Sequence, residues 1–249
     1  MAKRDKKISS GETPFNPMNP VYFMHTTDIS QEERDLALET LEEILYLAGV
    51  GDEIPIVDYG VWREHNYIDE NGRLVPHKSV DWYINGWYNS QRNQVDVDAA
   101  MTQVIYDPLI GIQPHYDVIL TAQDLYTRDT SFVVGVAYPR IGSIVSVNRL
   151  RAISDGKMQK EAKKQELYHE VGHVFGLPNE GRGSDIDYSL GAHCTNLCSV
   201  RQGVRIPDDW VSFVDDRKKA GKVYCDSCIT DLKGYFAKFK KPEKPGLPH

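Results

Sequence analysis

Apolar residues recur along this chain with two different periods, and the switching between them predicts an α+β domain. From Asp28 to Ala48 the positions Leu36, Leu38, Leu41, Ile44, Leu45 and Leu47 form one broad apolar face at helical spacing. Ser30, followed three positions later by Glu33, offers a capping box at the start of that helix. Ile54 to Tyr59 is predicted as a short strand. Between 60 and 92 no period holds: the stretch carries Trp62, Tyr67, Trp82, Tyr83, Trp87 and Tyr88 and is broken by Asn71-Gly72. A second helix is predicted over about Val95 to Tyr106. Val118 to Leu120, Phe132 to Ala137 and Ser143 to Val147 are rich in β-branched residues and bounded by turn formers, the pattern of strands. Pro139 to Gly142 would join the last two as a tight hairpin. A long helix then spans Gly156 to Phe175, with Ser154 or Asp155 as its cap; it stops at Gly176, with Pro178 just beyond.

The 249 residues are enough for a single buried core. Residues 1–20 are expected to be a flexible N-terminal arm, 21–236 the folded domain and 237–249 a disordered basic tail, on their Lys, Pro and Gly content. No apolar run approaches the roughly 20 residues of a membrane span, so no membrane partner is expected. The charged first ten residues do not form a secretory signal, and a cytoplasmic location follows. The net charge of −7 is uneven: Arg217 to His249 holds 9 basic against 3 acidic residues, leaving 20 against 33 elsewhere. So acidic a body disfavours nucleic acid as a partner. The basic end is read as a solvated helix face running into a frayed terminus, with an acidic partner as the alternative.

The chemistry concentrates in His169-Glu170-Val171-Gly172-His173. Histidines four apart on a helix share a face, so both imidazoles can reach one zinc ion. Glu170 lies beside the first of them, placed to act as general base toward a metal-activated water. A catalytic zinc needs a third protein ligand and an open position. His193 is favoured for that place, with Glu180, Asp185 and Asp187 as alternatives.

The four cysteines fall in two short pairs, Cys194-x3-Cys198 and Cys225-x2-Cys228. Each pair can give two thiolates to one tetrahedral ion, which predicts a structural zinc clamping the C-terminal segment to the active-site region. His193 and Cys194 are adjacent, and neighbours in extended chain point to opposite sides, so one dipeptide could join two metal sites.

Taken together, these residues resemble the archaemetzincins, a metzincin-type family of zinc peptidases. The resemblance rests on His169-Glu170-Val171-Gly172-His173-Val174-Phe175-Gly176, His193-Cys194, Cys198 and Cys225-Asp226-Ser227-Cys228, with weaker echoes in Asp124-Leu125-Tyr126, Gly135-Val136-Ala137 and Ser146-Val147-Asn148-Arg149-Leu150. It covers about residues 115–230. It implies a single metzincin-like α+β domain in which a twisted mixed sheet packs on the active-site helix. It further implies a catalytic zinc on His169, His173 and His193, Glu170 as base, and a structural zinc on the cysteines. The chain departs from the family pattern in three places. The segment between Gly176 and His193 is 14 residues longer, the first cysteine pair is C-x3-C instead of C-x4-C, and Val200 stands where the pattern has methionine. The long segment and Val200 motivate an alternative, a catalytically weak zinc-binding regulatory or interaction protein. In the peptidase reading the substrate is a peptide or protein, and the strand Ser143 to Val147 would border the cleft and receive it as an added strand.

Overall fold

The computed structural model describes residues 17–62, 67–68, 71–75, 78–105 and 113–237. The tail from 238 onward, residues 1–16 of the expected arm and the end of the second helix at Tyr106 lie outside these residues. Residues 17–20 are tied down: the Tyr116 hydroxyl donates to the Pro17 carbonyl at 3.0 Å and the Tyr116 amide to Pro20.

The main sheet has five strands in the order Ile56–Gly60, Val21–His25, Tyr116–Thr121, Gly142–Ser146, Gly135–Tyr138. The first four are mutually parallel and the last runs antiparallel, with Gly142 opposite Tyr138 and Ile144 opposite Val136. Helices cover both faces. Val21, Phe23, Val118, Leu120 and Val145 pack with Leu41, Ile44, Leu167 and Val171 on one side. Tyr22, Met24, Ile119 and Ile144 pack with Ile84, Ala100, Met101 and Val104 on the other. Strands buried on both faces lose the apolar–polar alternation, which is why Val21–His25 was not predicted.

The first helix spans Gln31–Ala48 and closes its capping box, Ser30 with Glu33. The expected helix at 95 begins at Val97, because Gln94–Asp96 is a strand pairing with Tyr88–Asn89 and Leu125–Tyr126. Helices Val80–Asn85 and Asp208–Ala220 were not anticipated. One expectation is overturned. The strand predicted over Ser143 to Val147 is internal, bonded to Tyr116–Thr121 on one side and Gly135–Tyr138 on the other, so the edge belongs to Gly135–Tyr138.

The long helix runs Gly156–Val174, capped by the Asp155 side chain accepting from the Met158 amide. At its end Gly176 adopts φ +76°, a conformation glycine reaches without a steric penalty, and Leu177 donates to the Gly172 carbonyl at 2.9 Å. This turn sends the chain away immediately below the second histidine. Among the described residues no helix is long and apolar enough to cross a membrane.

Candidate metal centres and cleft

His169 and His173 project from one face of the long helix, their Nε2 atoms 3.2 Å apart. His193 reaches them from a short hairpin in which Asp187 pairs with His193 and Ile186 with Cys194. The donor nitrogens of the three rings lie within 4.8 Å of one another. Each Nδ1 meets a backbone carbonyl: His169 that of Ser199 at 3.0 Å, His173 that of Leu177 at 2.6 Å, and His193 that of Gly191 at 3.2 Å. An Nδ1–H donated to a carbonyl fixes the tautomer and leaves Nε2 bare as a ligand atom. Burial, with the neighbouring imidazoles, holds His169 well below the usual histidine range and His173 down to about 4; burial also lowers His193. The rings are therefore neutral, the form that binds metal. Among the described residues no carboxylate joins this group. The exposed Asp187 carboxylate accepts from the Ser189 amide and hydroxyl, Asp185 sits in a left-handed turn, and Glu180 lies in a short 3₁₀ turn on the cleft wall.

Glu170 is buried beside the first histidine and is fixed by its surroundings. A Cβ on Gly135 of the edge strand would stand 2.6 Å from Glu170 Cγ, so only glycine leaves room for this side chain. One turn back, Glu166 is hydrogen-bonded to Glu170 and accepts from Trp210 Nε1 at 2.6 Å. Burial, with Glu166 alongside, raises the Glu170 carboxyl well above the usual range, and burial raises Glu166 to about 7. A divalent cation on the histidines acts the opposite way and favours the Glu170 carboxylate. Glu166 was missed in the sequence, although its place four residues before Glu170 was a readable signal. Trp210 comes from a remote segment and gave none, and Gly135 figured only as part of a strand that resembles the family.

These groups line a cleft of about 1640 Å³. The edge strand borders it on one side, Leu177–Glu180 and Leu190–His193 on another, and Gln202–Val204 with Trp210 on a third. Val200 is fully buried beneath the helix, where its Cγ1 would lie 2.7 Å from a Cβ on Gly172. Its carbonyl accepts from the Cys194 amide, so the valine is part of the support under the histidines.

The second cluster lies on the other side of the His193-Cys194 dipeptide. The sulfurs of Cys194, Cys198, Cys225 and Cys228 fall within 4.8 Å of one another, Cys194 and Cys225 being 3.7 Å apart. The Cys225 amide donates to the Cys198 sulfur and the Asn196 side chain to that of Cys225. Cys198 next to it is the main influence pulling Cys194 down to about 6.

The 3.2 Å between the His169 and His173 nitrogens and the 3.7 Å between the Cys194 and Cys225 sulfurs are close to the separations of ligands on one zinc ion. Tetrahedral bonds of 2.0–2.1 Å to nitrogen separate two ligands by about 3.4 Å, and bonds of 2.3 Å to sulfur by about 3.8 Å.

No family model matches the chain. The archaemetzincin of Nanoarchaeum equitans is 32% identical over 145 residues, 58% of this chain and 66% of that protein. The crystal structure of the archaemetzincin of Methanopyrus kandleri superposes with a TM-score of 0.57 at 20% identity, over 89% of this chain and 97% of the other. The chain is archaemetzincin-like. A zinc-dependent peptidase from Methanocorpusculum labreanum shares the fold too, with a TM-score of 0.52 at 19% identity over 85% of this chain and 99% of the other. The matched part of the archaemetzincin-like sequence spans just under two thirds of the Nanoarchaeum relative. The long segment between His173 and His193 is accommodated within this fold without displacing His193 from the cluster.

Proposed function

We propose that this chain is a zinc-dependent metallopeptidase, with a catalytic zinc on His169, His173 and His193 and a structural zinc on Cys194, Cys198, Cys225 and Cys228. One observation carries the reading: three neutral imidazoles, each with Nδ1 against a backbone carbonyl, converge beside a buried glutamate at the floor of an open cleft. When bound there, zinc supplies Lewis acidity toward a water and a peptide carbonyl.

The chain's own residues do the rest. Glu170 takes the proton of the attacking water and delivers it to the leaving amine. Glu166, fixed by the Trp210 indole, holds the Glu170 carboxyl from behind. The substrate is a peptide or protein bound in extended form along Gly135–Tyr138, the strand at the end of the sheet. Resemblance to archaemetzincins and to a zinc-dependent peptidase supports the same reaction class.

The test is Glu170→Gln, which keeps the shape of the side chain and removes its basicity. The variant should retain two zinc ions per chain and lose at least 100-fold in peptide hydrolysis. Equal activity in the variant removes the assignment. Two zinc ions in a wild-type protein that cleaves nothing in a diverse peptide library would favour the zinc-binding regulatory reading.

A further inference from the structure

Resting on the two-site reading above, we propose that Arg182 is a positioning residue that joins the four-cysteine site to the inserted wall of the cleft. Metal at the cysteines would then hold the segment that delivers Leu190 and His193. Arg182 ends the 3₁₀ turn Glu180–Arg182, inside the stretch that is long relative to the family pattern. Its side chain is only 11% exposed.

A guanidinium has five N–H donors in a fixed plane, and here five acceptors face them. Nε donates to the Ser184 carbonyl at 2.9 Å and Nη2 to the Asp185 carbonyl at 2.9 Å. Nη2 also reaches the Cys194 sulfur at 3.3 Å, and Nη1 the Cys228 sulfur at 3.4 Å. The last donor of Nη1 meets Asp231 at 3.0 Å. Asp231 in turn accepts from the Asn179 amide at 3.0 Å.

The acceptors divide in an informative way. Two lie on the inserted segment itself, two are sulfurs drawn one from each cysteine pair, and one is a carboxylate on the C-terminal helix Asp226–Ala237. A tetrathiolate around a divalent ion carries two net negative charges. A buried cation donating to two of its sulfurs offsets that charge and lowers their basicity. The same cation straps the segment down at Ser184 and Asp185, just ahead of the hairpin that presents His193. A purely structural strap would need Asp231 and the carbonyls but not the sulfurs. Lysine, with three donors and no planar fork, cannot serve all five acceptors.

The experiment compares wild type, Arg182→Ala, Arg182→Lys, Asp231→Asn and Cys225→Ser in the full chain. Zinc is followed with a colorimetric chelator, and cobalt substitution reports thiolate ligation by its sulfur-to-metal charge-transfer band. Limited proteolysis reports on residues 180–190. Arg182→Ala should release thiolate-bound metal about 10–100-fold faster, the loss that removal of an outer hydrogen-bond partner brings. Its segment should be cut at least tenfold faster, with the histidine-bound metal retained. Arg182→Lys should fall between, and it serves if the alanine variant does not fold. Cys225→Ser should expose the same cleavage sites. Faster cleavage with unchanged metal release in both Arg182 variants, matched by Asp231→Asn, would reduce Arg182 to a loop pin and overturn the inference. Wild-type protein lacking any thiolate-bound cobalt would instead overturn the two-site reading beneath it.

Discussion

Replacing Gly135 with alanine isolates Glu170, the proposed general base, from everything else in the cleft. The added Cβ would lie 2.6 Å from Glu170 Cγ and 2.8 Å from its Cδ and Oε1, whereas ordinary contact begins near 3.4 Å. The Gly135 backbone is in the extended region of the edge strand, so alanine brings no φ penalty, and the three atoms nearest the added Cβ all belong to Glu170. Glu170 cannot retreat easily, because Glu166 stands behind it, held in place by the Trp210 indole. Relief therefore requires Cγ to move by roughly 0.8 Å, the difference between 2.6 and 3.4 Å, and the carboxylate by roughly 0.6 Å, the difference between 2.8 and 3.4 Å. A displacement of about 1 Å at a reacting group costs on the order of 100-fold in rate. Overpacking of this kind also costs about 1–3 kcal/mol of stability.

The expected result is a fall in kcat of about 100-fold, with KM and both metal ions unchanged, since no histidine moves. Steady-state cleavage of a fluorogenic peptide, alongside metal content and thermal unfolding, measures all three. The double variant Gly135→Ala with Glu170→Gln should be no slower than Glu170→Gln alone, because both changes act through one group. Wild-type kcat in Gly135→Ala, or fully multiplicative losses in the double variant, would refute the claim that Gly135 acts by placing Glu170.

Two further predictions follow from the metal clusters and the core. His193→Ala and Cys225→Ser should each lower zinc from two ions per chain to one, and the double variant should hold none, as read by metal analysis of the purified protein; a single ion in the wild type contradicts this. Glu33 sets an acid dependence. Burial would raise its carboxyl, but hydrogen bonds from Arg151 at 2.6 Å and Lys163 at 2.8 Å outweigh burial and hold it down to about 2 against an ordinary 4.5. A depressed carboxyl stabilises the fold above its unfolded value, and the contribution, about 3 kcal/mol, is lost as pH falls from about 4.5 through 2. The difference in urea-unfolding free energy between wild type and Glu33→Gln should therefore be largest at pH 6 and shrink toward pH 2; a difference independent of pH would refute the assignment.

The parts of this protein that were legible early are those encoded within a turn or two of chain. Ser30 and Glu33 cap their helix by themselves. His169, Glu170 and His173 share a helix face because of the 3.6-residue period alone. The cysteine pairs bring their thiols together at spacings of two or three residues. Val21–His25 was hidden for a physical reason: a strand covered on both faces has no polar side and reads as any short apolar run. The misplaced sheet edge has a related cause, since residue pattern shows that a segment is a strand but not which strands lie beside it. Gly142–Ser146 became internal only because Tyr116–Thr121 pairs with it in parallel across a long connection.

The sequence alone therefore determined the donor types, the local geometry of two histidines with a neighbouring glutamate, and two pairs of thiols. Tertiary structure decided how these became sites. It brought His193, 20 residues past His173, to the helix through the register Asp187–His193. It set Gly135 and Trp210, from segments far apart in the chain, around the Glu170–Glu166 pair. It also closed Arg182 over sulfurs from both cysteine pairs. Each of these contacts joins segments whose separation along the chain carries no periodicity. They exist because burial of the sheet and its helices holds those segments at fixed positions, and no local propensity encodes that distance.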